Sequence, residues 1–168
     1  MSGFDITGRV AIVTGGSKGI GFGMALDLAE AGADVAVVSR NLDEGEAAAE
    51  EIRKRGRKGL AICADVRIPA DCDMLVSKTV EQLGRLDILV NCAGTNIRKP
   101  LVEFTEEEWL SDPERYDAII SRSAIKRLGE RDDLRGMLLL LISDASSYIT
   151  GHTFYVDGGA LAGWPVDW

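Results

Sequence analysis

The stretch VAIVTGGSKGIG, from Val10 to Gly21, decides how the rest of the chain is read. Val10 to Val13 form a short apolar run of strand character, and Gly15, Gly19 and Gly21 fall where that strand hands over to a helix. Glycines at such a handover permit a tight turn and leave backbone amides exposed. They also let a pyrophosphate approach without meeting a Cβ, while the helix N-terminus favours the anion. The spacing is Gly-x-x-x-Gly-x-Gly rather than Gly-x-Gly-x-x-Gly. The plain alternative is a flexible glycine-rich turn, and the flanking strand and helix weigh against it.

Outward from this turn, short β-branched runs alternate with longer helical periods as far as Gly94, the pattern of a parallel sheet with helices on its faces. Val10–Val13, Val35–Val38, Leu60–Cys63 and Ile88–Val90 are apolar throughout, as strands covered on both faces should be. A first helix is expected over Ile20–Ala31, closed by Gly32, and a second over Asp43–Arg55, with Glu50/Lys54 and Glu51/Arg55 as pairs four apart. The third begins near Pro69 and sets Cys72, Leu75, Val76, Thr79, Val80 and Leu83 on one stripe before Gly84. The expected fold class is therefore α/β, a Rossmann-like doubly wound parallel sheet.

Beyond Gly94 the rhythm fails. Phe104–Leu110 starts a helix behind Thr105-x-x-Glu108 but runs into Ser111-Asp112-Pro113, and a second short helix is expected near Glu114–Ile120. Met137–Ile142, behind Asp132-Asp133, reads as a buried helix. A last strand, Thr153–Val156, ends in Asp157-Gly158-Gly159 and would bring the sheet to about five strands, provided it moves in beside the fourth.

Composition narrows the function. A chain of 168 residues with 46% hydrophobic content fits one domain spanning 1–168. A net charge of -8 argues against a hold on nucleic-acid backbones or anionic membranes. The N-terminus has no signal-peptide pattern, and no apolar run approaches the ~20 residues of a membrane span, so a cytoplasmic protein is expected. Cys63, Cys72 and Cys92 match no zinc spacing and are expected to be reduced and largely buried, with no metal site.

TGGSKGIG, the CADV containing Asp65, the NCAG of Asn91 to Gly94 and the closing YVDGG together resemble the short-chain dehydrogenase/reductase family. The resemblance implies that Gly15, Ser17, Lys18 and Ile20 line the phosphate and ribose side of a nicotinamide dinucleotide. It also implies that Asp65 and Val66 contact the adenine and that Asn91, Ala93 and Gly94 flank the nicotinamide ribose. Gly19 and Gly21 complete the turn. Cys92 stands where the family usually has asparagine, a change that bears on how the fourth strand is held. At the end of the second strand an acid would bind a ribose 2'-hydroxyl and a cation a 2'-phosphate; Ser39-Arg40 stands there, with Lys18 as a second positive charge. This favours NADPH over NADH, against the alternative that both are merely solvated cations. Asp34 begins the strand and so lies at the wrong edge to favour NADH.

The family's chemistry needs a proton donor, supplied by a tyrosine, a lysine four residues later and a serine. No Tyr-x-x-x-Lys occurs in this chain: Tyr116 is followed four residues on by Ile120, Tyr148 by His152 and Tyr155 by Gly159. Tyr148 and His152, with Ser146 or Ser147, offer a substitute set, but Gly151 breaks any helix there and the segment matches the family's ordinary lead into its closing strand. No catalytic residue is therefore assigned. Residues 5–110 and 112–159 match the family's two ends, so an internal block is expected to be missing near 110–112, on the order of two to three strand–helix–strand units of about 30 residues. The lost block would include the family's subunit-pairing helices, leaving its usual dimer face absent or rebuilt.

GTNIRKP, residues 94–100, is similar to tropinone-reductase-like members and to bacterial sugar-acid dehydrogenases of the family. Ile97, Arg98 and Lys99 border either a small alcohol or ketone substrate's entrance or, as favoured, a solvated loop. Trp164, Pro165 and Trp168 form an apolar tail that either packs on a surface or is a disordered end. Three readings follow: an oxidoreductase by ancestry that has lost its chemistry, a non-catalytic nucleotide-binding or interaction module, and a shortened product with no independent role.

Overall fold

The computed structural model describes residues 4–94, 120–121 and 123–161. Its first half alternates strand and helix: β1 (Val10–Thr14), α1 (Gly19–Glu30), β2 (Asp34–Ser39), α2 (Leu42–Lys54), β3 (Gly59–Cys63), α3 (Pro69–Leu83) and β4 (Ile88–Asn91). All pairings are parallel, in the order β3-β2-β1-β4. This is the Rossmann-like α/β arrangement. The expected helix at 104–110, all of the expected helix near 114–120 but Ile120, which is helical, the junction at 110–112 and the apolar tail lie outside the described residues.

Successive strand residues face opposite sides of a sheet, and the core divides accordingly. Ala11, Val13, Val35 and Val37 join Leu28, Ala48 and Ile52 on the face covered by α1 and α2. Ile12, Ala36, Val38 and Ile62 join Leu75 on the face covered by α3. Asn41 caps α2 by accepting from the amides of Asp43 and Glu44 at 3.0 and 3.3 Å, and α3 opens on Pro69 and closes on Gly84 at φ 93°. Gly32 stands past the end of α1 at φ 105°, where any side chain would run into Thr7. Glu50 pairs with Arg53 and Lys54 with Glu51, each at a spacing of three, so the expected Glu50/Lys54 contact does not form, while Glu51/Arg55 does; Arg53 also reaches Glu46, seven residues back.

The described residues fall into two compact units, 4–94 with 134–150 and 120–133 with 151–161. In the first, the run expected as a buried helix is α4 (Arg135–Ile142), entered through a 3-10 turn at Arg131–Leu134. Ile142 packs against the α1-side cluster. Arg9 donates to the Ile142 carbonyl at 3.1 Å and pairs with Asp144, and Arg135 reaches Asp27 and Glu30 at 3.2 and 2.8 Å. These bonds hold a segment more than a hundred residues distant in sequence against the start of β1 and the end of α1.

In the second unit, the Ile125 amide donates to the Gly158 carbonyl at 2.9 Å, and Arg127 grips the Asp133 carboxylate with both terminal nitrogens at 2.6 Å. That guanidinium, helped by the Glu130 amide, holds the Asp133 carboxyl well below the usual carboxylate range. The Asp157 carboxylate accepts from the amides of Gly159 and Leu161, fixing the DGG turn.

Two further expectations are corrected. Among the described residues the sheet has four strands rather than about five: Thr153–Val156 forms no strand, and Tyr155 is 68% exposed. β-branched and aromatic residues make a strand only where a partner edge receives their backbone groups. The cysteines are free but not largely buried, since Cys63 is exposed and Cys72 and Cys92 are half-buried. Among the described residues no helix is long and apolar enough to cross a membrane.

Candidate functional site

Every residue expected to touch a dinucleotide lies at or just beyond the C-terminal end of a strand. That edge of an open parallel sheet is where such folds bind ligands. Thr14 closes β1, and its buried hydroxyl does work not anticipated from the sequence: Oγ1 accepts from the amides of Cys92 and Ala93, both at 3.1 Å, and lies 3.4 Å from the Val90 carbonyl. One side chain thus fixes the chain leaving β4 against the glycine turn. The chain leaving β4 is held by these bonds with cysteine at position 92.

Gly15 takes φ 68°, and a Cβ there would lie 2.9 Å from the Ala93 Cα, so only glycine lets the Asn91–Gly94 segment pass so close. A side chain at Gly21 would strike the Gly15 carbonyl and approach the Cys92 Sγ. Gly19 takes φ 60°, yet a Cβ at Gly19 or at Gly94 meets no heavy atom within 4 Å. The inner glycines are therefore required by packing, whereas Gly19 and Gly94 border open space. Lys18 is the N-cap residue of α1 in extended conformation, and no side chain caps that helix, in contrast to α2. Among the described residues no side chain accepts from the first amides of α1, and the positive end of the helix dipole lies behind them. Ser17 is half-buried and Ile20 exposed.

At the end of β2, Ser39 Oγ donates to the Asn41 carbonyl, and Arg40 is exposed, its carbonyl 3.4 Å from the Cys63 Sγ. Lys18 Nζ is 3.3 Å from Glu44 in the first turn of α2. The sequence marks Glu44 only as the third residue after a capping Asn; its partner, 26 positions earlier, leaves no local trace. Beyond β3, the Asp65 amide donates to Asp71 at 2.8 Å. The Asp65 carboxylate is gripped by the Arg67 guanidinium and amide, which, with Arg40 nearby, pull its carboxyl down to about 2. Asp65 is thus anchored by two neighbours, and Val66 is exposed beside it. Asn91, Ala93 and Gly94 are exposed past β4.

The arrangement can grip an anion and seat an extended ligand along the sheet edge. Proton transfer finds less support. Tyr148 is fully exposed and Tyr155 largely so, Gly151 at φ 70° breaks the backbone between Tyr148 and His152, and Tyr116 lies outside the described residues. Among the described residues no three His, Cys, Asp or Glu side chains cluster as metal ligands.

A family model described as short chain dehydrogenase matches residues 9–112, and one described as enoyl-(acyl carrier protein) reductase matches residues 110–160. A 2-dehydro-3-deoxy-D-gluconate 5-dehydrogenase of Escherichia coli is 40% identical over 109 residues, 65% of this chain and 42% of the relative. A hydroxynaphthalene reductase-like protein of Metarhizium robertsii is 35% identical over 161 residues, 93% of this chain and 59% of the relative. The chain thus spans about two-fifths to three-fifths of the curated relatives it matches. Among solved structures, a short-chain type dehydrogenase/reductase from Mycobacterium marinum superposes with TM-score 0.78 at 25% identity, over 94% of this chain and 96% of the other. A gluconate 5-dehydrogenase from Burkholderia cenocepacia, solved with NADP and tartrate, shares the fold at TM-score 0.85 and 22% identity, over 96% and 98% of the two chains.

Proposed function

The chain belongs to the short-chain dehydrogenase family, and on that premise we propose that it binds a nicotinamide dinucleotide, NADPH ahead of NADH, without turning over an alcohol or ketone. The observation that carries the binding half is the glycine turn: a tight bend at Gly15, an open flank at Gly19 and uncapped amides at the start of α1. Those features suit a diphosphate, which needs close backbone approach and a positive helix end. In this reading Ser17, Lys18, Gly19, Ile20 and Gly21 hold the diphosphate side. Asp65 and Val66 border the adenine, and Asn91, Ala93 and Gly94 border the nicotinamide ribose. Ser39 and Arg40 stand where a 2'-substituent would lie, and the absence of an acid at those two positions favours the phosphate.

A bound nicotinamide would supply or accept the hydride; the protein's part would be to handle the proton at the substrate oxygen. A positioned acid contributes roughly 100- to 10,000-fold to such a step, and no Tyr-x-x-x-Lys exists in this sequence to provide it. That absence favours a non-catalytic dinucleotide-binding module over an active reductase. The meeting of the two family models at 110–112 is in keeping with an internal loss at that place. The substrate class of the intact ancestor is read as a sugar acid, in keeping with the GTNIRKP segment and the gluconate dehydrogenases among the relatives.

Thermal stability measured during titration with NADPH and NADH tests the proposal, because a ligand that binds the native state raises its apparent stability. NADPH should shift the melting temperature at lower concentration than NADH, and Gly19→Val should remove both shifts. Absence of any shift in the wild type would defeat the binding claim, and oxidation of NADPH by a sugar-acid ketone would defeat the claim of inactivity.

A further inference from the structure

Among the described residues Glu44 is the one carboxylate bonded to the cation of the glycine turn. Its oxygens lie 3.3 and 3.5 Å from Lys18 Nζ, and the lysine side chain is 78% exposed. Glu44 is fixed at its root, since its amide donates to Asn41 Oδ1 at 3.3 Å in the cap of α2. The helix that follows the Ser39-Arg40 corner therefore projects a negative charge onto the lysine that, with Arg40, would face a 2'-phosphate. A phosphate monoester carries about -1.5 to -2 charges at neutral pH, whereas the 2'-hydroxyl of NAD carries none. Glu44 opposes the first ligand twice, by occupying Lys18 and by repelling the phosphate, and leaves the second almost untouched. An exposed ion pair of this kind is weak enough to exchange.

Resting on the cofactor reading above, we infer that Glu44 is a specificity-determining residue that holds down the preference for the 2'-phosphorylated dinucleotide. Its removal raises affinity for NADP+ and spares affinity for NAD+. Two like charges a few ångströms apart at a hydrated surface cost enough that Glu44→Gln should improve the NADP+/NAD+ affinity ratio on the order of fivefold. The gain should shrink in high salt. Because the effect runs partly through Lys18, Lys18→Met should lower the NADP+ affinity and blunt the gain from Glu44→Gln in the double variant.

Calorimetric titration of the wild type, E44Q, K18M and the double variant with NADP+ and NAD+ decides the matter, with melting curves confirming that each variant is folded. A raised ratio in E44Q, reduced in the K18M background, is the expected result. An unchanged ratio in E44Q, with a wild type that still prefers NADP+, overturns the role of Glu44 and leaves the cofactor reading standing. A wild type that binds neither dinucleotide overturns both. A wild type that prefers NAD+ while E44Q moves toward NADP+ keeps the role of Glu44 and removes only the proposed NADPH preference. Glu44→Asp, which keeps the charge on a shorter arm, should fall between wild type and E44Q; equality with E44Q would count against the charge argument.

Discussion

The two faces of the sheet are closed to different degrees. On one, α1, α2 and α4 cover Val13, Val35 and Val37 completely, and Arg9 and Arg135 tie α4 in place. On the other, α3 is the only cover among the described residues: Ile12 is 0% exposed, but Leu89, its register partner on β4, is 56% exposed. The stripe expected on α3 is only half used, with Leu75 and Thr79 buried and Val76 and Val80 left exposed. Among the described residues β4 pairs with β1 alone. A parallel sheet needs cover on both faces. Here the C-terminal segment supplies it to one face, and the described residues supply only α3 to the other.

The largest expected effect contrasts one leucine from each region. Leu28→Ala, within the closed face, should lose about 2–5 kcal/mol, whereas Leu89→Ala should lose less than about 1 kcal/mol. Chemical denaturation of the two variants measures both, and equal losses would break the comparison. Next, Arg9→Met removes the bonds to the Ile142 carbonyl and Asp144. It should lower stability by about 1 kcal/mol and speed amide exchange across 135–142 with little change in β2. If exchange there is unaltered, α4 is held by its apolar contacts alone.

A smaller change is expected on the open face. Val76→Thr with Val80→Thr should alter stability by no more than about 0.5 kcal/mol per site while reducing self-association or binding of an apolar dye, since exposed apolar patches drive both. A large loss of stability would mean that this stripe is covered. The smallest effect belongs to Asp65. Its carboxyl titrates at about 2 rather than the ordinary 3.8 because Arg67 holds the charged form. The pair therefore adds stability above the ordinary value and gives it up as pH falls through about 2. Carboxyl NMR should show that midpoint, and Arg67→Met should move it up toward 3.8.

Legibility followed the range of the interactions. α1, α2 and α3 start and stop within a residue or so of their expected bounds because local signals such as Gly32, Pro69 and Gly84 act on their own helix ends. The glycine turn was legible for the same reason. Thr14 was not singled out, since its value lies in bonds to Cys92 and Ala93 some 78 and 79 residues on. Glu44 was missed likewise, and the grip of Arg67 on Asp65 was not read because it depends on a turn that spacing alone does not specify.

Periodicity, helix ends and the glycine spacing determined the α/β class and the place of the bend, because each arises from backbone sterics and burial within a dozen residues. Whether Thr153–Val156 joined a sheet, and which face α4 covered, depended on what backbone edges and apolar surfaces stood nearby. Those are properties of the assembled fold, since a strand is completed by a neighbour's amides and carbonyls and a helix by the surface it covers.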